Sequence, residues 1–204
     1  MAEWQSILEE IAGTIFGLIC HQDPSILMKV GGREILLCPR CMGLHLGFVS
    51  SFIALKVWTT KRINVVERTT KFILAVALGS MAVDWGVGGH LGLFTPTTLS
   101  RLTTGLAGGS VVGILLSSYR RSLIRPSNAF AFNPTGSQAA GLICFSICVG
   151  VAVATWSNWV LLSSILLLTF TVNVSLTVHM VILILRARLF RRPVVHGSSF
   201  HRGG

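Results

Sequence analysis

Apolar residues run through this sequence in long blocks rather than in the short alternations or single-faced helical stripes of a soluble domain. Five blocks stand out, at approximately Met42–Trp58, Phe72–Phe94, Leu102–Tyr119, Ala139–Thr155 and Trp159–Leu185. Each is near the roughly 20 residues that an α-helix needs to cross about 30 Å of hydrocarbon. The last two are separated only by Trp156, Ser157 and Asn158. Together they are too long for one crossing, so the pattern predicts a helical hairpin whose turn places Trp156 in the headgroup belt.

Ahead of these blocks, Trp4, Ile7, Leu8, Ile11, Ile15, Phe16 and Ile19 recur at helical spacing, interrupted by Glu3, Glu9 and Glu10. That pattern predicts an amphipathic helix lying along the membrane interface. With no basic leader region and no small-residue cleavage site, the segment is expected to be retained. Asp23-Pro24 marks a turn, and Gly31-Gly32 separates Met28–Val30 from Glu34–Leu37 as the two arms of a short hairpin. The fold class expected is therefore all-α, a polytopic membrane protein of about five transmembrane helices plus an N-terminal interfacial helix. Its regions are an outer segment, 1–41, a helical bundle, 42–192, and a flexible tail, 193–204.

Composition agrees with this picture, and charge extends it. Charged residues are 12% of the chain, against about a quarter in soluble domains, and mean hydropathy is +0.71. The net charge of +10, from 17 Lys and Arg against 7 Asp and Glu, would suggest nucleic acid in a soluble protein. Position removes that suggestion. Lys61, Arg62, Arg68 and Lys71 follow the first span, Arg120, Arg121 and Arg125 the third, and Arg186, Arg188, Arg191, Arg192 and Arg202 the fifth. In an alternating bundle these all fall on one side, opposite Lys29, Arg33, Arg40 and Arg101, with Lys56 snorkelling near an inner end. The positive-inside rule then puts the C-terminus in the cytoplasm and residues 1 to about 41 outside the cytoplasmic membrane. The lipid bilayer is the expected partner, and nucleic acid is not.

Against this apolar background a few residues call for chemistry. Cys20 is followed by His21 and Gln22, and Cys38-Pro39-Arg40-Cys41 opens the first span. Pro39 suits the first helical position, with Cys38 at the cap. Cys38, Cys41 and His45 then share one helical face. Asp84, the only acidic residue after Glu67, costs about 3 kcal/mol in a bilayer and needs a partner. Arg101, Gly105 and Gly109 share a face of the third span, a cation at the head of a glycine groove. The charge-derived topology carries Asp84, His90 and Arg101 to the side that holds Cys20, Cys38 and Cys41.

These motifs, Cys20-His21-Gln22, Gly31-Gly32-Arg33, Leu37-Cys38-Pro39-Arg40-Cys41-Met42-Gly43 with Gly47, an Asp in the next span, and Arg101 with Thr104-Gly105 and Gly109, resemble a family of small multi-span bacterial and archaeal membrane proteins of unknown function. The resemblance covers about residues 18–115. Members often carry Thr where Met42 stands and Tyr where His45 stands. It implies a multi-span membrane protein and brings no activity with it.

The residues themselves support three readings. Cys20, Cys38, Cys41 and either His21 or His45 offer four ligands for zinc or iron, with Arg40, Asp84 and Arg101 tuning charge or holding an anionic substrate in a metal-dependent membrane enzyme. Alternatively, Cys38-Pro39-Arg40-Cys41 is a dithiol that exchanges with Cys20 and passes electrons to a quinone held by Arg101 beside Gly105 and Gly109. In the third, the glycine faces serve contacts with other membrane subunits, and the chain is an accessory subunit of a larger complex. A structural disulfide with an Asp84–Arg101 ion pair is the plainest arrangement of the same residues. Cys144, Cys148, His179 and Asn173 are read as buried or interhelical packing groups.

Overall fold

A computed structural model of the chain describes residues 2–58, 68–124, 135–156 and 158–189. Lys61, Arg62, Arg125, Arg191, Arg192, Arg202 and the tail 193–204 lie outside the described residues. Within them the architecture is mostly helical, with six α-helices: α1 (Ala2–Gly17), α2 (Pro39–Trp58), α3 (Arg68–Ala82), α4 (Thr98–Ile124), α5 (Gly136–Ala154) and α6 (Trp159–Leu189). Four segments are long and apolar enough to cross a membrane, Arg68–His90, Thr98–Arg120, Gly136–Ala154 and Trp159–Arg186.

Local chemistry explains where the elements start and turn. Between α1 and α2, β1 (Met28–Val30) and β2 (Arg33–Ile35) pair antiparallel with Val30 opposite Arg33. Gly31 and Gly32 have φ of 58° and 80°, the left-handed pair that a two-residue hairpin turn requires. A turn that tight makes Arg33 the first paired residue, so the second arm begins one residue earlier than the sequence suggested and ends at Ile35. At the head of α5, Thr135 accepts the Gln138 N–H while the Gln138 side chain accepts the Thr135 N–H, a reciprocal cap. At the head of α6, Asn158 Oδ1 accepts the Leu161 N–H at 3.0 Å.

The centre of the molecule is the pairing of α2 with α4. A side chain at Gly43, Gly47, Gly105 or Gly109 would collide with backbone atoms of the facing helix: Leu102 and Leu106 against α2, Arg40 and Leu44 against α4. The contacts advance together along both helices, from Arg40 against Gly105 to Phe48 against Gly113, so α2 and α4 run parallel. In an apolar solvent, helices associate through such close van der Waals contact between small residues. Gly136 of α5 meets Thr69 and Ile73 at the start of α3, while Gly150 meets Leu106 of α4. The Trp159 indole N–H donates to the Glu34 carbonyl at 2.9 Å, placing the start of α6 beside the hairpin. Consecutive long helices therefore alternate in direction.

Two elements differ from the sequence pattern. One apolar arc of α1 is buried, with Ala12 and Phe16 in the core and the Phe16 ring edge-on to Phe170 of α6 at 6.4 Å. Only the other arc, with Trp4, Ile7 and Ile11, is exposed. The second block does not stay α-helical to Phe94. It widens into a π-helical segment, Val83–His90, ending with the Leu91 N–H on the Gly86 carbonyl at 3.0 Å. Gly88 lets the following loop fold back onto this segment, because a side chain there would strike Phe94 and Pro96.

Candidate metal centre

Two segments bring three sulfurs to one point. Cys20 follows the last turn of α1, where its own N–H bonds to the Phe16 carbonyl at 2.8 Å. Cys38 caps α2: its carbonyl accepts the Met42 N–H at 3.0 Å, and its sulfur accepts the Cys41 N–H at 3.5 Å. Cys41 projects from the first turn of the helix. The Sγ atoms of Cys20, Cys38 and Cys41 all lie within 4.8 Å of one another, with Cys20 and Cys38 buried and Cys41 partly so. All five cysteines are free thiols.

The loop bearing Cys20 is braced by Gln22. This residue has a positive φ of 48°, and its Nε2 donates to the Gly13 and Leu36 carbonyls, each at 3.1 Å. One amide thus ties α1 to the strand that leads into Cys38, which accounts structurally for the third position of Cys-His-Gln. The Cys38 N–H donates to the Cys20 sulfur at 3.3 Å. Side-chain hydrogen bonds from Cys38 and then Cys41, with the backbone N–H groups of Gln22 and Cys38, hold the Cys20 thiol far below its ordinary pKa despite burial. Cys38, the donor in that exchange, is pushed up. Three clustered sulfurs, one of them favoured as thiolate by its hydrogen bonds, are the donor set of a soft-metal site.

The candidate histidines stand apart from this group. His21 is exposed. His45, a turn deeper than Cys41 on α2, is buried, with its ring edge-on to Phe170 at 5.4 Å. Its Nδ1 is 2.7 Å from the Asn173 Nδ2 of α6, a link between two helices that the sequence offered only as two isolated polar residues. Among the described residues, neither histidine is in the metal-competent group with the three sulfurs.

Asp84 has a partner, and it is Arg40 rather than Arg101. The Arg40 Nε donates to Asp84 Oδ2 at 3.1 Å, Nη2 reaches the same oxygen, and Nη2 also donates to the Asp84 carbonyl at 3.2 Å. Ser100 Oγ donates to Asp84 Oδ1 at 2.8 Å. The ion pair is buried, its side chains 13% and 5% exposed. Arg101 is half-buried and contributes to lowering the pKa of Asp23, after the larger effects of Ser25 and of His21. Gly105 and Gly109 face the α2 backbone, so α2 occupies the groove that a quinone or another subunit would need. The sequence did not single out Ser100. Its signal is a hydroxyl one residue before Arg101, at the helix end to which the topology already brought Asp84.

Residues 20–115 match the model of a family described as "Predicted membrane protein (DUF2085)". The matched segment begins at Cys20 and encloses all three clustered cysteines, Arg40, Asp84 and Arg101. The chain is also similar to an uncharacterised protein of the archaeon Methanocaldococcus jannaschii, 32% identical over 103 residues, or 50% of this chain and 64% of that relative. No solved structure matches.

Proposed function

We propose that this chain is a member of that family and an integral membrane protein that binds one zinc or iron ion through Cys20, Cys38 and Cys41. The observation that carries the reading is the convergence of three sulfurs from two separate segments. Cys-x-x-Cys spacing at a helix start with a distant third cysteine suits tetrahedral zinc, and the same donors accept ferrous iron. The fourth position belongs to His21, His45 or an exogenous ligand, and an open position is what a catalytic ion requires. On this reading α2 is a fifth crossing. It has 20 residues, about 30 Å of helix, and runs parallel to α4. The cationic segments then face the cytoplasm and the sulfur cluster faces outward.

A thiol-exchange reading has one observation in its favour, three free cysteine sulfurs within 4.8 Å of one another. Two thiols would close to a disulfide, releasing two protons and passing two electrons to a quinone. Elemental analysis of the purified chain separates the two. The metal reading expects one ion per chain, lost in Cys38→Ser. A metal-free wild-type protein whose cysteines form a quinone-responsive disulfide would replace it with the redox reading.

A further inference from the structure

Arg40 lies between two of the three clustered cysteines, and it is fixed from both sides. Its guanidinium spends three donor contacts on Asp84, two on Oδ2 and one on the backbone carbonyl. Its own carbonyl lies so close to α4 that Gly105 has no room for a side chain. Ser100, from the first turn of α4, donates to the other carboxylate oxygen. The turn Cys38–Cys41 is thus clamped by the π-helical segment through the Arg40–Asp84 pair and by α4 through backbone.

Two costly features meet at this clamp. A buried ion pair is a poor source of stability, because desolvation of both charges offsets their attraction. A π-helical segment sacrifices regular helical bonding and recurs where a helix must present a particular side chain. Here the widened turn begins at Val83 and delivers Asp84 inward while its neighbour Trp85 is exposed. Apolar side chains would join α2 to α3 at lower cost, but they would not direct the Arg40 side chain, and with it the turn bearing both sulfurs.

We propose that Asp84 is a positioning residue for the sulfur cluster: by clamping Arg40 it holds Cys38 and Cys41 in the orientation that faces Cys20, and the π-helical segment exists to deliver it. The inference rests on the metal reading above. It also reassigns Arg40, whose charge is committed to Asp84 rather than offered to a substrate.

Cobalt titration of the full chain in detergent tests it, with sulfur-to-cobalt charge-transfer absorption reporting binding and apo thermal unfolding followed in parallel. Asp84→Asn should weaken cobalt binding about 10–100-fold, the range seen when groups orienting metal ligands are lost. Ser100→Ala, which removes one contact and leaves the ion pair, should weaken it less than Asp84→Asn does. The double variant Arg40→Met/Asp84→Leu leaves no unpaired buried charge, so it should recover apo stability while its cobalt affinity stays low. It also carries the test if Asp84→Asn does not fold. Wild-type affinity in Asp84→Asn, or affinity that returns with stability in the double variant, would overturn the proposal. Failure of the wild-type chain to bind cobalt or zinc is a different result, which removes the metal reading and this inference with it.

Discussion

Cysteine occupies two settings in this molecule. In the first, Cys20, Cys38 and Cys41 come from a loop, a helix cap and a helix turn, are largely buried, and face one another. In the second, Cys144 and Cys148 sit four residues apart on α5 and are exposed on the apolar outside of the bundle. Sequence spacing alone makes the second pair look as well placed as Cys38 and Cys41. What separates them is everything around the sulfurs. The first set has backbone donors, a bracing amide from Gln22, a buried ion pair one residue away and a third thiol brought from another segment. Among the described residues, none of these stands beside Cys144 or Cys148. Binding chemistry in a bilayer depends on polar groups that several elements hold in common, and here they gather within residues 20–115.

The largest expected effect breaks the first set. Structural zinc sites bind with about 10–16 kcal/mol, about 3 kcal/mol for each of four ligands, so Cys20→Ala should cost about 100-fold in metal affinity. Cys144→Ala and Cys148→Ala, measured by the same competition with a chelating dye, should leave affinity unchanged.

Next in size is the contrast between glycines at the centre and at the periphery. Gly47 faces the Leu106 backbone, whereas Gly79 has open space around its Cα. Gly47→Val should lower stability by about 1–3 kcal/mol or more through overpacking. Gly79→Ala should be neutral or stabilising by up to about 1 kcal/mol, the helix-propensity difference. Unfolding in mixed micelles of increasing denaturing detergent measures both.

Proton linkage sharpens the picture of the cluster itself. The hydrogen bond between Cys20 and Cys38 lowers the Cys20 pKa and raises that of Cys38. Binding should therefore release fewer than three protons, and affinity should fall as pH falls because protons compete for the sulfurs. In the apo protein the lowered Cys20 pKa contributes stability that is complete above the unfolded-state thiol value and is lost as pH falls toward the folded one. Calorimetry in buffers of different ionisation enthalpy gives the proton count, and a release of three would place all thiols in the protonated state.

The smallest effect concerns the link between the two regions. Asn173→Leu removes the α6 partner of His45 and should cost about 0.6 kcal/mol, up to about 1.7, as interhelical hydrogen bonds in membranes do. A loss of several kcal/mol in the same detergent titration would show a larger network at that position.

Much of this arrangement was legible before any coordinates. Block length gave the long helices, Gly31-Gly32 gave the hairpin turn, and the charge pattern brought Asp84 and Arg101 to the end that carries the cysteines. Partner choice was not legible. Arg40 and Arg101 both lie at that end, and which one Asp84 meets depends on the rotation and offset of α2 against α4, set by the match of Gly43 and Gly47 to Gly105 and Gly109. The widened turn at Val83–His90 was hidden for a related reason, since its glycines read equally well as a packing face. Gln22 and the His45–Asn173 contact join residues 9 to 128 positions apart, and no local pattern announces such pairs.

Whether three sulfurs from this chain hold one ion is read by X-ray absorption at the metal edge of the zinc-loaded protein. Three sulfur scatterers at about 2.3 Å, with one lighter atom at about 2.0–2.1 Å, are expected, falling to two sulfurs in Cys20→Ala. A first shell of nitrogen and oxygen alone, unchanged by that substitution, would contradict the account.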